Sequence, residues 1–228
     1  MWYEDHDTLE RYMRARGASV HVYSYTPLDM PPAWKLLKHK KTPVIPLVTK
    51  TADDILAAFR DTTRNEVRRT FALDGLTFDI GEATAETYAF YQQATRSQGR
   101  IPQKRGLFRG ALVASARYQG KIIAAIAYMP AQPIAKVLTI SSLRRETDDA
   151  HMRAMIGFAT KRLVYEVCVW GIAHGYEGCD LAYINLDDPS KKGITDFKMG
   201  FGGEVRDEWQ YVYVSPMLKT LRKLLLWL

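Results

Sequence analysis

The stretch that decides the fold runs from Ala135 to Asn185, and its pattern changes twice along the way. Its parts are AKVLTISSL (135–143), TDDAHMRAMIGFATKRLVYEVCVWGIAHG (147–175) and GCDLAYIN (178–185). The first and last parts are short apolar runs typical of buried strands, whereas the middle part has apolar residues at helical spacing and a stop signal at Gly175. Thr147 is the expected N-cap of this helix. Because two strands joined through a helix in one sheet lie parallel, the stretch predicts a right-handed βαβ unit.

Further strands and helices surround this unit. ALVASARYQGKIIAAIAYM (111–129) predicts a hairpin that turns at Gln119-Gly120, and EVRDEWQYVYVS (204–215) predicts a last strand. TADDILAAFRDTTRNEVRRTFA (51–72) and ATAETYAFYQQATRSQG (83–99) predict helices. Within the first of these, the spacing from Thr63 to Glu66 predicts a second helix start with a capping box. The predicted fold class is α/β, with a mixed, mostly antiparallel sheet flanked by helices.

The chain divides into three expected segments. Residues 1–50 include five prolines between positions 27 and 46, which predicts a partly irregular cap belonging to the same domain. Residues 51–214 form the expected core. Residues 215–228 alternate leucines with lysines and arginine and predict a basic amphipathic helix.

Composition and charge narrow the classes of function. The 228 residues are 47% hydrophobic and 25% charged, which is ordinary for a globular protein, and the net charge of +7 favours anionic partners. The charged N-terminus does not read as a signal peptide, and no apolar run is long enough to span a bilayer, so we expect a cytoplasmic protein. The two cysteines, Cys168 and Cys179, lie outside any zinc-binding spacing, and no metal is expected.

Two stretches, residues 194–205 and 55–99, follow the sequence pattern of a known family. ITDFKMGFGGEV (194–205) is similar to the Phe-Lys-x-x-Phe-Gly-Gly turn near the C-terminus of the Fem-type branch of the GNAT acyltransferase superfamily. ILAAFRDTTRNEVRRTFALDGLTFDIGEATAETYAFYQQATRSQG (55–99) is similar to its order of a helix, an arginine-rich motif, a strand and a tyrosine-rich helix. Together with the element order, these stretches frame most of residues 51–214.

The resemblance implies the transfer of an acyl or aminoacyl group to an amine, in a cleft where the two parallel strands splay apart. It implies that Lys198 binds substrate phosphate or stabilises the tetrahedral oxyanion, a task suited to a fixed cation. Tyr183 and Asn185 are the other residues expected in the catalytic cleft. Phe197, beside Lys198, is expected to contact substrate.

The donor stays open at this point. The acetyl-CoA branch of the superfamily has glycines between strand and helix, whose bare amides bind a pyrophosphate. The corresponding SSLRRETDDAHMRA (141–154) has no glycine, and Asp148 and Asp149 would repel a pyrophosphate. Arg144, Arg145 and Thr147 are the expected donor-binding residues. The donor is an acyl-CoA, an acyl carrier protein or an aminoacyl-tRNA.

The acceptor is expected to be a small-molecule amine, an amino sugar or another cell-envelope precursor, phosphate-bearing or lipid-linked. Arg64 and Arg68 lie one helical turn apart and predict a site for the acceptor's phosphate. Residues 216–228 predict a peripheral contact with the inner membrane, which would suit a lipid-linked acceptor.

Two other functions fit the same residues. One is an N-acyl amino acid synthase that uses an acyl carrier protein, which would need a wide apolar tunnel beside the splayed strands. The other is a non-catalytic GNAT-fold module that binds RNA or a membrane surface. A steep salt dependence of binding, without acyl transfer, would favour the second.

Overall fold

In a computed structural model of the chain, residues 19–216 are described. Almost all of the expected C-terminal helix, residues 215–228, therefore lies outside the described range. The strands are β1 (Ser19–Ser24), β2 (Trp34–Pro46), β3 (Leu76–Glu82), β4 (Leu112–Tyr118), β5 (Lys121–Ala131), β6 (Ile134–Ser142), β7 (Gly178–Asp180) and β8 (Glu204–Val214). The α-helices are α1 (Ala52–Ala58), α2 (Asp61–Thr70), α3 (Ala85–Arg96), α4 (Ala150–Ala173) and α5 (Lys192–Met199).

All eight strands belong to one sheet, in the order β1-β8-β2-β7-β6-β5-β4-β3. Six of its neighbouring pairs are antiparallel, and β6 with β7 is the parallel pair. The helix α4 makes the crossover between these two strands. The predicted mixed, mostly antiparallel sheet is confirmed.

Helices cover both faces of the sheet. Successive side chains of a strand point to opposite faces, so Ala114 and Ile126 join the core beneath α4 while Val113 and Ala127 join the core beneath α3. The helices α1 and α2 pack against α4. A third, smaller core lies beneath β1, β8 and the loop after β1. The sheet is therefore buried on both sides in its middle, where β6 and β7 lie.

The predicted turns and helix ends follow local chemistry closely, with one correction. Gln119 and Gly120 both have positive φ, 50° and 80°, as the turn of a two-residue hairpin between β4 and β5 requires. The N-cap of α4 is Asp149, whose carboxylate accepts hydrogen bonds from the His151 amide at 2.8 Å and the Met152 amide at 3.4 Å. Thr147 is not the cap, because its hydroxyl instead accepts a hydrogen bond from the Asp149 amide.

The break between α1 and α2 lies earlier than predicted. Thr51 caps α1 in a capping box with Asp54, but α2 begins directly after Arg60. The Arg60 amide donates to the Gly200 carbonyl at 3.0 Å, which fixes the chain at that point. Thr63 is buried inside α2, so the predicted capping box from Thr63 to Glu66 is wrong.

Residues 34–46 differ from the expected irregular cap. They form β2, which lies between β8 and β7 and pairs with β8 along most of its length. The pairing of β2 with β7 is limited to Val44, Ile45 and Pro46 of β2. Five consecutive residues of β2, from 35 to 39, are exposed, which explains why the sequence does not read as a strand.

Within residues 19–216, none of the helices combines the length and the apolar character that crossing a membrane would take.

Candidate active site

The two parallel strands separate at the middle of the sheet. β6 and β7 pair from Ile134↔Gly178 to Lys136↔Asp180, and the pairing ends there. β6 continues to Ser142, whereas the chain after β7 leaves it, with Ala182 in the left-handed region at φ 62° and Ile184 bridged to Lys41 of β2. The predicted splayed strands are confirmed.

A cavity of about 550 Å³ lies in this gap. One wall is β6 from Val137 to Ile140, and the other is the chain from Leu181 to Tyr183. The register between β5 and β6 shifts so that Leu138 is an extra residue on β6, and strand bulges of this kind recur beside active sites. The lining side chains also include five cations, which are Arg100, Arg144, Arg145, Lys161 and Lys198. Among the described residues that line the cavity there is no Asp or Glu.

Lys198 lies in the last turn of α5 and is only 7% exposed. Its ammonium donates to the carbonyl of Tyr183 at 2.9 Å and to that of Ala182 at 3.2 Å. An ammonium has three N–H donors, so one remains for the cavity that Lys198 lines. Burial is the main reason that its pKa falls to about 8; Asp180 opposes the fall, and Lys136 and Lys40 add to it. At neutral pH the group is therefore still mostly a cation.

The glycines after Lys198 serve close packing of the backbone. Gly202 has φ +71°, and a Cβ built there would lie 2.2 Å from the Ala58 carbonyl oxygen. A Cβ at Gly203 would lie 3.1 Å from backbone atoms of Val44. The turn thus holds the end of α5 against α1 and β2, which fixes the position of Lys198.

The structure brings two of the three predicted catalytic residues to the cavity. Tyr183 lines it and is 45% exposed, so its ring is accessible to a ligand. Phe197 lines it as well, packed edge-on against Phe201 at 5.1 Å between ring centroids. Asn185 does not line it. Its side chain instead accepts a hydrogen bond from the Asp187 amide at 3.1 Å, in a turn next to a smaller cleft.

Of the predicted donor-binding residues, Arg144 and Arg145 line the cavity and Thr147 does not. The guanidinium of Arg144 lies over Gly157 of α4. The N-terminus of α4 already holds the carboxylate of Asp149. An anion in the cavity would therefore meet arginine side chains rather than free helix amides.

Arg64 and Arg68 are not brought into the cavity. Arg64 donates to the Ala57 carbonyl at 2.9 Å and pairs with Asp61, so it serves the end of α1. Arg68 is exposed on α2. An acceptor site at these two arginines stays a prediction.

Sequence reasoning missed two of the cavity's cations. Lys161 follows Gly157 by four residues on α4, so they share a helix face, and a glycine inside an apolar helix was the available signal. Lys161 also pairs with Glu66 of α2. Arg100 follows α3 in a loop, and nothing around it in the sequence marks it.

A buried ionic cluster lies directly behind the point of separation. Lys136 of β6 pairs with Asp180 of β7 at 2.7 Å and with Glu208 of β8. Lys40 of β2 lies 3.1 Å from the other oxygen of Glu208. Burial alone would lower the pKa of Lys136, but the two carboxylates raise it; burial would raise the pKa of Asp180, but Lys136 and its hydrogen bonds lower it. Lys136 and Asp180 therefore remain an ion pair in the core.

No cluster of three or more histidine, cysteine or carboxylate side chains suited to a metal ion occurs within the described part of the chain.

Comparisons with known proteins support the fold. No protein-family model and no curated sequence matches the chain. Among solved structures it is similar to FemX, with a TM-score of 0.63 at 12% identity over 96% of this chain and 77% of FemX. It is also similar to the C-terminal domain of a putative lysylphosphatidylglycerol synthetase from Agrobacterium fabrum, with a TM-score of 0.54 at 16% identity over 91% of this chain and 71% of that one.

A third similar structure is L-PGS from Bacillus licheniformis, with a TM-score of 0.53 at 16% identity. The match covers 80% of this chain but only 62% of L-PGS, so this chain spans less than two thirds of that neighbour. At these identities the likeness concerns the fold alone, and the predicted Fem-type fold is confirmed at that level.

Proposed function

We propose that this protein is an acyltransferase that moves an acyl or aminoacyl group from an activated carrier to an amine, in the gap between β6 and β7. One observation carries the proposal: the gap holds a cavity lined by five cations, one of them the buried Lys198, and no carboxylate is among the described residues that line it. Such a cavity suits a phosphate-bearing donor and a reaction in which negative charge develops on a carbonyl oxygen.

The chemistry needs little from the protein beyond position and charge. The neutral amine attacks the carbonyl carbon of a thioester or ester, which forms the C–N bond and places a negative charge on the carbonyl oxygen. The intermediate then breaks its C–S or C–O bond, the leaving group takes up a proton, and the amine nitrogen loses one to solvent. Lys198, with a free N–H and a mostly protonated amine, stabilises the oxyanion.

The remaining cations are proposed to hold the donor. Arg144 and Arg145 lie in the turn between β6 and α4, and Arg100 approaches from the loop after α3. A guanidinium group can donate two parallel hydrogen bonds to the oxygens of one phosphate. That phosphate would belong to an acyl-CoA, to the phosphopantetheine of a carrier protein or to the end of a tRNA. The amine acceptor is proposed to be an amino sugar or another cell-envelope precursor.

The test incubates the full chain with one radiolabelled donor at a time: an acyl-CoA, an acylated carrier protein or an aminoacyl-tRNA. Each donor is combined with a mixture of amine acceptors. We expect one donor class to give a labelled amide. Lys198→Ala should lower the turnover number by roughly 10²–10³-fold, the cost of losing one oxyanion donor. Arg145→Ala should mainly raise the KM for the donor, because it removes a binding contact.

Asp207→Asn is the matched control, since Asp207 is a carboxylate of β8 outside the cavity that pairs with His39 and Lys41. Its turnover should equal that of the wild type. Transfer that is the same in the wild type and in Lys198→Ala, or absent with all three donors, would rule the proposal out.

A further inference from the structure

We propose that Asp180 is the positioning residue of this cleft: its carboxylate captures the amide of Ala182, ends the parallel pairing and turns two carbonyls towards Lys198. The inference rests on the proposed function only in assigning Lys198 a part in transfer. The geometry itself stands on the contacts of Asp180.

Asp180 is completely buried and accepts hydrogen bonds from four groups. Its Oδ1 atom accepts from the Thr42 hydroxyl and from the Ala182 amide, the latter at 2.6 Å. Its Oδ2 atom accepts from the Lys136 ammonium at 2.7 Å and from the Tyr25 hydroxyl at 3.1 Å. Strands β2 and β6 and the loop after β1 thus supply three of the donors that fix the carboxylate, and the amide of Ala182 is the fourth.

The bond to Ala182 accounts for the separation of the strands. Lys136↔Asp180 is the last pair of β6 and β7, and Ala182 is two residues further on. Its amide donates to the carboxylate instead of continuing the ladder, and its backbone takes φ 62°, which an alanine rarely adopts. A hydrogen bond to a charged acceptor stabilises this conformation. Beyond this point β6 has no β7 partner, and the cavity begins.

The same turn presents the carbonyls that hold Lys198. The oxygens of Ala182 and Tyr183 lie 3.2 Å and 2.9 Å from its ammonium. Asp180 also acts through its charge. Of the groups that influence Lys198 electrostatically, Asp180 on β7 favours the ammonium, whereas Lys136 on β6 and Lys40 on β2 disfavour it.

Substitution of Glu208 is the control that distinguishes a positioning role of Asp180 from a merely structural one. It is as buried as Asp180, and it pairs with Lys136 and Lys40 in the same cluster. It has no hydrogen bond to Ala182 and is not among the groups that influence Lys198. Glu208 also lies beside Asp180, and each of the two carboxyl groups shifts the pKa of the other. Glu208→Gln therefore removes one buried carboxyl group from the cluster while leaving the Asp180 carboxylate and its hydrogen bond to Ala182 in place.

The experiment titrates the ammonium of Lys198 in the full chain by NMR, using lysine labelled with ¹³C at Cε and the Lys198→Arg spectrum for assignment. We expect a midpoint near 8 in the wild type. In Asp180→Asn and Asp180→Ala the midpoint should fall by about one pH unit, a tenfold loss of proton affinity, because the favourable carboxylate is gone. In Glu208→Gln it should stay at the wild-type value.

An unchanged midpoint in Asp180→Asn would overturn the proposal, as would an equal shift in Glu208→Gln. If neither Asp180 variant folds, hydrogen exchange of the wild type decides. The Ala182 amide should exchange as slowly as the amides of the core, and exchange as fast as that of the exposed Leu186 would contradict the hydrogen bond to Asp180.

Neither readout depends on catalysis. A lowered midpoint in Asp180→Asn, together with no acyl transfer by the wild type, would leave the positioning role intact and refute the proposed function. Acyl transfer that depends on Lys198, together with an unshifted midpoint in Asp180→Asn, would support the proposed function and refute the positioning role of Asp180.

Discussion

Lys198 is a buried cation whose hydrogen-bond partners are two carbonyls rather than a carboxylate. A protein that needed only stability would gain by placing an apolar side chain there, because burying a charge without an opposite charge in contact is costly. The cost appears as the fall in the pKa of Lys198 to about 8. We interpret it as the consequence of keeping a cation ready at the wall of the cavity.

The pH dependence of stability should show this cost. Lys198 titrates near 8 in the folded chain and near its ordinary 10.5 in the unfolded chain, so between these values the unfolded chain binds more protons. The free energy of unfolding of the wild type therefore gains a term that rises with pH across this window. Relative to Lys198→Met, which cannot titrate, the wild type should gain about 3 kcal/mol between pH 7 and pH 10.5.

Urea unfolding of both proteins at the two pH values measures this gain, because the subtraction removes the titration of all other groups that the two proteins share. A difference that is the same at both pH values would show that Lys198 is exposed to water.

At the residue scale, the sequence predicts which residues come together at the cavity, but not which hydrogen bonds their side chains make. Lys198, Tyr183, Arg144 and Arg145 do line the cavity, because strand ends and turns of a known element order meet there. Arg64 does not, because its guanidinium is taken up by carbonyls that become free only where α1 ends. A periodic pattern cannot show that, since the helix end is itself fixed by Gly200 from far along the chain.

At the element scale, the turn that follows α5 tolerates fewer residue types than the helix itself. Gly202 has a positive φ, and the carbonyl oxygen of Ala58 lies where the Cβ atom of any other residue would be. Gly202→Ala should lower the free energy of unfolding by roughly 3 kcal/mol, through overpacking and backbone strain together. Because this turn also fixes the end of α5, the variant should lose transfer activity as well.

Gly193→Ala is the matched control for the same measurement. Gly193 lies in α5, and a Cβ there meets nothing within 4 Å. Alanine is a better helix former than glycine, so the variant should be up to about 1 kcal/mol more stable than the wild type. Equal effects of the two substitutions in urea unfolding would mean that the turn at Gly202 can relax.

The elements differ in how well their sequences predict them. α4, the β4–β5 hairpin and β6 follow from periodicity and turn residues, because their apolar side chains pack into the two buried cores on either face of the sheet. β2 does not, because it is exposed over residues 35–39 and contains Pro43, which usually indicates an edge or a loop. Its place in the sheet depends on β8 and β7, which lie far away in the sequence.

At the scale of the whole molecule, β2 ties the two ends of the chain together. Both of its neighbours, and the neighbour of β1, come from residues after α4. A chain that ends at His174 keeps β1 to β6 and α1 to α4 but leaves β1 and β2 without their partner strands. We expect it to show no cooperative urea transition, whereas the full chain shows one.

Circular dichroism during the titration makes this comparison. A sharp transition of the shortened chain, at a similar urea concentration, would show that the sheet from β3 to β6 and its helices form a stable unit without the β1-β8-β2-β7 half.

Protein synthesis delivers β2 long before its neighbours exist. The ribosome adds about 130 residues between the end of β2 and the start of β7, which takes on the order of ten seconds at an elongation rate of about 5–20 residues per second. For that time the apolar Val44 and Ile45, and the adjacent pair Leu36 and Leu37, are part of a nascent strand with nothing to pair with. The interior position of β2 thus leaves these apolar residues without their partner strands until most of the chain has been made.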